Sequence, residues 1–312
     1  MTHMNKSSGG AGRRPSNCIA CGADGLRPHM RVSGEMGEQG LIPTTDRFGT
    51  ALSDIVMCSG CGHMQLEYFP SDEQLAEAYE EAESEDYVGE EAGQRATAAI
   101  ALDRIERYTE RGRLLDLGSW VGFLLAEARE RGWEATGVEP SAFASRYARE
   151  RLGLDVIQAD LFRAELPARA FQAVVLGDVI EHLIEPDRAL ARIAELLAPG
   201  GVVYMALPDA GSRVARLMGA RWWSVIPTHV QYFTRASMET LLRRCSWEPL
   251  WIGTAPKVFT VGYYLGRIGG YSRPLGDALV SGARQLGVAD KPWAPDFRDR
   301  MAVVARAPAA AA

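Results

Sequence analysis

The sequence predicts an α/β fold in which a mostly parallel β-sheet carries helices on both faces, preceded by a small module held by four cysteines. Two observations lead to this prediction. From residue 113 onwards, short apolar runs alternate with amphipathic helical patterns, and such alternation is typical of parallel sheets. Upstream lie two Cys-x-x-Cys-Gly sequences at residues 18–22 and 58–62, and such pairs indicate a structural metal site.

Composition and charge limit the classes of partner. The chain has 312 residues, 47% of them hydrophobic, and a formal net charge of -6, which is enough for one large and one small domain. The acidic balance argues against a general nucleic-acid binder, because phosphate backbones are held mainly by Lys and Arg. No apolar run approaches the ~18 residues of a membrane span, and the polar N-terminus lacks a signal-peptide core. We therefore expect a cytoplasmic protein without a membrane partner.

The N-terminal part is expected to form a disordered tail over residues 1–16 and a zinc-binding module over residues 17–69. Four thiolates suit a tetrahedral, structural Zn²⁺ that has no open position for chemistry. Iron in a rubredoxin-like site uses similar cysteine pairs and stays an alternative, whereas disulfides fit a reducing cytoplasm poorly. The glycine-rich stretch between the pairs suits a small ribbon or hairpin. The expected metal ligands are Cys18, Cys21, Cys58 and Cys61.

Residues 70–111 are expected to form a helical linker. Its acidic stretch, residues 71–91, has apolar residues at helical spacing, and a solvated helix face is the plain interpretation. A lid over the active site is the alternative. A helix over residues 96–108 then leads into the main domain, which is expected to cover residues 112–307, and residues 308–312 are expected to be a disordered tail.

The main domain shows a regular alternation of strand and helix patterns. Ligands of parallel sheets bind at the carboxyl ends of the strands, where four acidic residues fall: Asp116, Glu139, Asp160 and Asp178. Helices are expected near residues 123–131, 142–152, 187–198 and 235–245. Strands are expected near residues 113–117, 134–138, 154–158, 172–177, 201–207, 250–254 and 300–306.

The loop after the first strand indicates the kind of ligand. Gly118 and Gly122 allow a close approach of the backbone, because they lack a Cβ. Asp116 would repel a pyrophosphate but can accept a hydrogen bond from an ammonium group. Glu139 follows 23 residues later, near the offset of about 20 at which a carboxylate reaches ribose hydroxyls. These residues favour a nucleoside that carries an ammonium group, such as S-adenosylmethionine.

Together these features resemble the class I S-adenosylmethionine-dependent methyltransferases in their Asp-x-Gly-x-Gly-x-Gly form, with Trp120 in place of the middle glycine. The resemblance covers residues 96–251 and implies a Rossmann-like sheet of seven strands. It also implies that Asp160 meets the adenine amino group, that Leu161 packs beside the ring, and that residues 177–183 are the motif after the fourth strand. The expected cofactor contacts are Asp116, Gly118, Trp120, Gly122, Glu139, Asp160, Leu161 and Asp178.

Each of the later acidic residues also has a plainer interpretation. Asp160 capping a turn, Asp178 capping a helix, and Glu181 with His182 forming an ordinary surface pair are all common local arrangements. Their ordered occurrence at successive strand ends argues against the plain interpretation for all of them at once.

The segment at residues 222–234 follows the fifth strand, where the resembling family shapes its acceptor pocket. His229 is the expected general base, and Tyr232 is the second catalytic candidate. A hydrogen bond that merely orders the loop is an equal alternative for His229, and aromatic clusters of this kind are more often core. A glycine-rich insert with Tyr263, Tyr264 and Tyr271 is expected to lie on the acceptor side or at a contact between subunits.

The resemblance implies methyl transfer from S-adenosylmethionine to a small-molecule acceptor by in-line displacement with a general base. A four-cysteine module before this domain is similar to the bacterial deoxysugar C-methyltransferases of natural-product pathways, and O-methylation of a small metabolite fits equally well. RNA methyltransferases with a zinc finger are an alternative, against which the acidic balance counts. A non-catalytic adenosylmethionine-binding protein is another. The chain lacks the Asn/Asp-Pro-Pro-Tyr run of base-methylating relatives, which counts against DNA.

Overall fold

The computed structural model describes residues 13–32, 48–71, 74 and 88–308. Several sequence predictions therefore lie wholly or partly outside the described residues: the tails at 1–16 and 308–312, the ribbon between the cysteine pairs, and the acidic linker or lid at 71–91. Arg13, at the start of the described chain, forms a β-bridge with Phe69. Among the described residues, no helix has the length and apolar character that crossing a bilayer requires.

The described chain alternates strands and helices from residue 91 onwards. The strands are β1 (Leu26–Met30), β2 (Ile55–Cys58), β3 (Met64–Leu66), β4 (Arg113–Leu117), β5 (Glu134–Val138), β6 (Asp155–Ile157), β7 (Phe171–Gly177), β8 (Leu197–Pro208), β9 (Gln231–Tyr232), β10 (Glu248–Thr254), β11 (Phe259–Thr260), β12 (Pro292–Trp293) and β13 (Arg300–Arg306). The helices are α1 (Glu91–Ile105), α2 (Phe123–Glu130), α3 (Ala142–Leu152), α4 (Pro186–Leu196), α5 (Arg213–Met218), α6 (Arg235–Arg244), α7 (Val261–Arg267) and α8 (Arg273–Gln285).

The main body is a seven-stranded sheet in the order β10-β13-β8-β7-β4-β5-β6, which confirms the predicted Rossmann-like fold. All neighbours are parallel except β13, which runs antiparallel to both β8 and β10. Both faces are covered, because alternate side chains of a strand point to opposite sides. In β4, Leu115 and Leu117 join the apolar cluster that contains residues of α4 and α6. Leu114 joins the cluster beneath α1 and α2.

The strand order places the carboxyl ends of four strands side by side. Leu117 of β4 pairs with Val138 of β5 and with Leu176 of β7. Residues just beyond these ends, including Glu139 and Asp178, therefore border one edge of the sheet. The predicted ligand-binding edge is this edge.

Some element boundaries differ from the sequence prediction for local reasons. Helix α4 ends at Leu196, two residues early, because Leu197 is extended (φ -70°, ψ 135°) and opens strand β8. Pro199 disfavours a helical residue before it, so the helix stops there. Residues 261–267 and 273–285 form the helices α7 and α8, in a glycine-rich insert for which the sequence analysis predicted no secondary structure.

The N-terminal strands form a second sheet, which the main domain completes. Its order is β1-β2-β3-β9, so its last strand comes from the segment that follows the fifth strand of the main sheet. The buried ring of His63 bonds through Nε2 to Oε1 of Gln231 at 2.9 Å. Cys18 and Cys58 belong to the same apolar cluster as residues of α4 and α6. The four-cysteine part is thus packed into the main body.

Candidate active site

The glycine loop after β4 is tightly curled. Gly118 has a φ of 71°, and a Cβ placed there would lie 2.6 Å from Cγ2 of Val179. Gly122 has a φ of 89°, and its Cβ would lie 2.6 Å from Cδ1 of Leu154. Trp120 between them is also left-handed, with a φ of 47°, which costs a non-glycine residue about 1–2 kcal/mol. The loop therefore leaves no room for side chains at its two glycines and directs its amides towards the sheet edge.

Glu139, at the end of β5, is tied to this loop. Its side chain is buried, Oε2 accepts a hydrogen bond from the backbone N–H of Trp120 at 2.7 Å, and Oε1 accepts one from Ser141 at 2.8 Å. Burial raises the pKa of Glu139 to about 7, although these two amide donors oppose the shift. The carboxylate thus fixes the loop and stands close to its ionisation point at neutral pH.

Asp116 supplies the second carboxylate of this edge. It lies in β4 and is 4% exposed. Burial raises its pKa to about 8, and the nearby charge of Glu139 adds to the shift. Two buried carboxyl groups that lie close together resist ionisation. Their ionised forms become favourable when a cation or several hydrogen-bond donors bind to them.

Asp160, after β6, caps its own turn. Its Oδ1 accepts hydrogen bonds from the backbone N–H groups of Phe162 at 2.7 Å and Arg163 at 3.0 Å, and its Oδ2 lies 3.3 Å from Nε of Arg163. The side chain is 42% exposed, and the adjacent Leu161 is half-buried. The plain turn-capping interpretation therefore holds for part of this carboxylate, and its adenine contact stays a prediction.

Asp178, after β7, is held by two cations. It adopts a left-handed conformation with a φ of 58° and forms ion pairs with Lys257 and Arg300. Burial alone would raise its pKa, but the charges of Arg300 and Lys257 outweigh that effect and hold the pKa well below its usual range. Asp178 is therefore an ionised carboxylate at neutral pH.

Beyond Asp178, a short 3-10 turn (Ile180–His182) carries two further ionisable residues. Glu181 is 1% exposed, and within the described part of the chain neither of its oxygens has a hydrogen-bond partner. Burial, with the charge of Asp178, raises its pKa to about 8. The interpretation of Glu181 and His182 as a surface pair is therefore wrong, because the turn points the carboxylate into the protein.

The ring of His182 packs against the ring of His229. The two rings lie 4.6 Å apart in an edge-to-face arrangement. Nδ1 of His182 lies 2.9 Å from the Thr228 carbonyl, and Nδ1 of His229 lies 2.7 Å from the Ser224 carbonyl. A carbonyl oxygen only accepts, so each Nδ1 carries the proton. Burial lowers the pKa of both histidines, so the neutral form of His229 keeps its lone pair on Nε2.

Tyr232, on β9, lies next to His229. It is 3% exposed, its ring lies 6.3 Å from that of His229, and its hydroxyl has no hydrogen-bond partner among the described residues. Burial raises its pKa far above neutrality. Tyr232 is therefore a hydrogen-bond donor rather than a base.

The four cysteines lie together, as the sequence predicts. Sγ of Cys18 is 3.5 Å from Sγ of Cys61, and Sγ of Cys21 is 3.6 Å from Sγ of Cys58. All four sulfur atoms lie within 4.8 Å of one another. Tetrahedral Zn–S bonds of about 2.3 Å place the sulfur atoms roughly 3.8 Å apart. The amide of Gly60 also points at the Cys58 sulfur at 3.4 Å, so the donor set fits a four-thiolate metal ion.

The sequence analysis placed Glu181 and His182 in the motif after the fourth strand without giving them a role, and it did not single out Lys257 or Arg300. Glu181 and His182 directly follow a strand end, and this position was a usable signal for them. Lys257 and Arg300 come from far along the chain, and only the antiparallel placement of β13 brings Arg300 to Asp178. No spacing of residues in the sequence predicts the contacts of Lys257 and Arg300 with Asp178.

The sheet order and the edge now define a class of protein. The chain combines a seven-stranded α/β sheet that has one antiparallel strand with two buried carboxylates beside a glycine loop. These groups lie at the carboxyl ends of adjacent strands, where open parallel sheets bind their ligands. The chain matches the methyltransferase domain family over residues 91–250, just over half of its length. It belongs to that family.

Individual relatives agree with this assignment. A biotin biosynthesis bifunctional protein of Cellvibrio japonicus is 25% identical over 162 residues, which cover 50% of this chain and 32% of the relative. An uncharacterized methyltransferase of Geobacillus kaustophilus is 29% identical over 150 residues (46% and 67%). A ubiquinone biosynthesis O-methyltransferase of Rhodopseudomonas palustris is 27% identical over 143 residues (42% and 56%). The chain thus matches from about a third to two thirds of the length of these relatives.

Among solved structures, a Haemonchus contortus phosphoethanolamine N-methyltransferase 2 in complex with S-adenosyl-L-methionine is similar at a TM-score of 0.46 and 20% identity. The similarity covers 68% of this chain and 52% of that one.

Proposed function

We propose that the protein transfers a methyl group from S-adenosylmethionine to a small-molecule acceptor, a sugar or another natural-product intermediate, at carbon or oxygen. The observation that carries this proposal is the buried pair of Asp116 and Glu139 beside the glycine loop, in a chain that belongs to the methyltransferase family. Two carboxyl groups with raised pKa values gain most from a ligand that brings an ammonium group and hydroxyl donors.

S-adenosylmethionine, when bound, supplies an electrophilic methyl group on a sulfonium. In the proposed arrangement Asp116 accepts from the ammonium group and Glu139 from the ribose hydroxyls. Asp160 and Leu161 border the adenine. The loop backbone is supplied by Gly118, Trp120 and Gly122. Asp178 borders the same ligand, and its own side-chain carboxylate is held in place by Lys257 and Arg300.

The proposed chemistry needs an aligned nucleophile and a place for its proton. Holding the reactants in line can be worth about 7–11 kcal/mol. His229 is the proposed base, because its Nδ1–H donates to the Ser224 carbonyl and leaves Nε2 to take a proton from the acceptor. A positioned base contributes roughly 10²- to 10⁴-fold. The Tyr232 hydroxyl, buried without a protein partner among the described residues, would donate to an acceptor oxygen.

We also propose that Cys18, Cys21, Cys58 and Cys61 hold a structural Zn²⁺. Their close sulfur atoms support a single tetrahedral ion, and four thiolates leave no position for a substrate. The division into a zinc module (17–69), a linker (70–111) and a methyltransferase domain (112–307) stays a proposal, to which the structure adds that β9 joins the first part to the third.

The proposal is tested by incubating the protein with methyl-labelled S-adenosylmethionine and a bacterial small-molecule extract or, separately, total RNA. Mass spectrometry then locates the label. The expected result is label in a sugar or a related metabolite and none with an Asp116→Asn, Glu139→Gln double variant. Label confined to RNA would overturn the small-molecule acceptor, and cofactor binding without transfer to either would point to a non-catalytic protein.

A further inference from the structure

We propose that Glu181, His182 and His229 form a second metal site, separate from the cysteines, which binds a divalent transition-metal ion. One nitrogen of each histidine ring and one carboxylate oxygen of Glu181 lie within 4.8 Å of one another. Two imidazoles and one carboxylate are a donor set that suits zinc and iron. Three protein ligands also leave at least one position open.

The distances within this cluster suit a common ion. Metal–nitrogen and metal–oxygen bonds are about 2.0–2.2 Å, so two ligands of one ion lie roughly 3–4 Å apart. Nε2 of His229 and Oε1 of Glu181 lie 4.0 Å apart. A small rotation of either side chain would bring both atoms onto one ion.

The backbone around the cluster orients both rings for this role. Metal-bound histidines usually donate their other ring N–H to a carbonyl or carboxylate, which fixes the tautomer. His182 does so to Thr228 and His229 to Ser224. Both carbonyls belong to the loop at residues 224–228, and the backbone N–H of Val230 donates to the Glu181 carbonyl at 3.0 Å. The segment at residues 224–230 therefore contacts all three residues, the two histidines at their rings and Glu181 at its backbone carbonyl.

A second observation points to a ligand at this cluster. Glu181 is 1% exposed, yet both its oxygens lack a hydrogen-bond partner within the described residues. The buried hydroxyl of Tyr232, whose ring lies beside that of His229, also lacks a hydrogen-bond partner within the described residues. Buried polar atoms without partners require an explanation, such as an ion or ordered water. A metal on Glu181, with a bound water or acceptor oxygen reaching Tyr232, would satisfy both.

The charges that face the cluster limit the ion. The charge of Asp178 raises the pKa of Glu181, and the charges of Arg300 and Lys257 oppose that effect. Both cations are paired with Asp178, so together these three groups add one positive charge beside the site. That positive charge weakens the binding of every cation. Transition-metal ions offset it through their bonds to imidazole nitrogen, whereas Mg²⁺ and Ca²⁺ prefer oxygen ligands and gain little from the two histidines.

The consequence for chemistry rests on the proposed function, although metal binding itself does not. An ion here would bind a hydroxyl or enolisable carbonyl oxygen of the acceptor and lower the pKa of the proton to be lost. That proton passes to water. The acceptor's electron pair then forms the new bond to the methyl carbon as the carbon–sulfur bond breaks and leaves a neutral thioether. His229 would then act as a ligand, since one lone pair on Nε2 cannot serve both the ion and the proton.

The test counts metal ions in the full-length protein. Chelator-treated protein is dialysed against excess Zn²⁺, freed of unbound metal and analysed by mass spectrometry. We expect two ions per chain in the wild type, one in Glu181→Gln and in His182→Ala, and two in His29→Ala, which removes an exposed histidine on β1. One ion in the wild type, or two in both cluster variants, would overturn the proposal.

Cobalt separates the two sites and checks the fold. Thiolate-bound Co²⁺ has intense sulfur-to-metal charge-transfer bands, whereas a histidine and carboxylate site has weaker bands from the metal alone. The cluster variants should lose only the weak bands, because the cysteine site reports that the chain is folded. A variant that loses both sets has misfolded, and His182→Asn or Glu181→Ala then replaces it. Calorimetric S-adenosylmethionine binding, measured in parallel, fails only if the proposed cofactor site is wrong.

Discussion

At the scale of single residues, the sheet edge combines two carboxyl groups whose pKa values burial raises to about 7 for Glu139 and about 8 for Asp116. The pKa of Asp116 is raised by burial and by the charge of Glu139. The pKa of Glu139 is raised by burial, and two backbone N–H groups that donate to its carboxylate oppose that shift. Their positions after two apolar strands were predictable from the sequence. Their burial was not, because it depends on how the glycine loop and Trp120 close over them.

Replacing Glu139 by alanine should weaken S-adenosylmethionine binding by about 1.5–3 kcal/mol, because charged hydrogen bonds to the ribose would be lost. This is roughly a 10- to 100-fold rise in Kd, to be measured by calorimetry. Glu134→Ala, at the exposed start of the same strand, is the matched control and should bind normally. An unchanged Kd in a folded Glu139→Ala protein would remove Glu139 from the ribose site.

Cofactor affinity should increase as the pH rises from about 5.5 to 7.5. The free protein holds protons on Glu139 (pKa about 7) and Asp116 (pKa about 8), whereas the ligand's donors require the ionised forms. Binding therefore releases protons, and each proton released gives up to about a tenfold change in Kd per pH unit. Calorimetry in buffers of different ionisation enthalpy counts the protons. A flat pH profile would contradict the proposed contacts.

At the scale of elements, the sequence predicted well those helices and strands whose apolar residues recur with a regular spacing. All seven strands of the main sheet and the helices α2, α3, α4 and α6 were located within a few residues, because each is long enough to show an apolar pattern. The two-residue strand β9 is too short to show such a pattern, and glycines within α7 and α8 counted against a helix there. The cluster of Glu181, His182 and His229 was hidden for the same reason, since a loop rather than a period brings its members together.

Strand β9 should respond to the metal at the cysteines. Chelation, or Cys58→Ser, should speed backbone hydrogen exchange at Gln231 and Tyr232, because β3, their pairing partner, adjoins the cysteine site. Exchange in β13 should change much less. Cys245→Ser is the control, since Cys245 lies outside the four-cysteine cluster. Equal exchange of β9 with and without metal would show that the two sheets are not coupled.

At the scale of the whole molecule, the two sheets share an apolar cluster, and β9, which follows the fifth strand of the main sheet in the chain, completes the N-terminal sheet. Arg244 of α6 donates to the carbonyls of Ile19 and Ala20 next to the first cysteine pair. Cys18 and Cys58 pack into the same apolar cluster as the main sheet. The sequence suggested a module attached through a linker, because contacts between distant segments leave no trace in local spacing.

The protein should therefore unfold in one cooperative transition. Structural zinc contributes on the order of 10 kcal/mol of binding free energy at neutral pH. Its removal should lower the whole transition by more than about 10 °C, since about 1 kcal/mol corresponds to 2–4 °C in a chain of this size class. Scanning calorimetry with and without chelator measures this. Two separate transitions, only one of them sensitive to chelator, would mean that the parts fold independently.

Strand β9 is synthesised long after β3, its pairing partner, and this order affects folding during translation. His63 and Gln231, which bond across β3 and β9, are 168 residues apart. At about 5–20 residues per second, a ribosome needs roughly 8–34 s to synthesise that interval. Throughout this time β3 lacks its pairing partner β9, and His63 lacks its amide partner. The cysteines emerge long before their neighbours, so an early metal ion would protect the growing chain from misassembly.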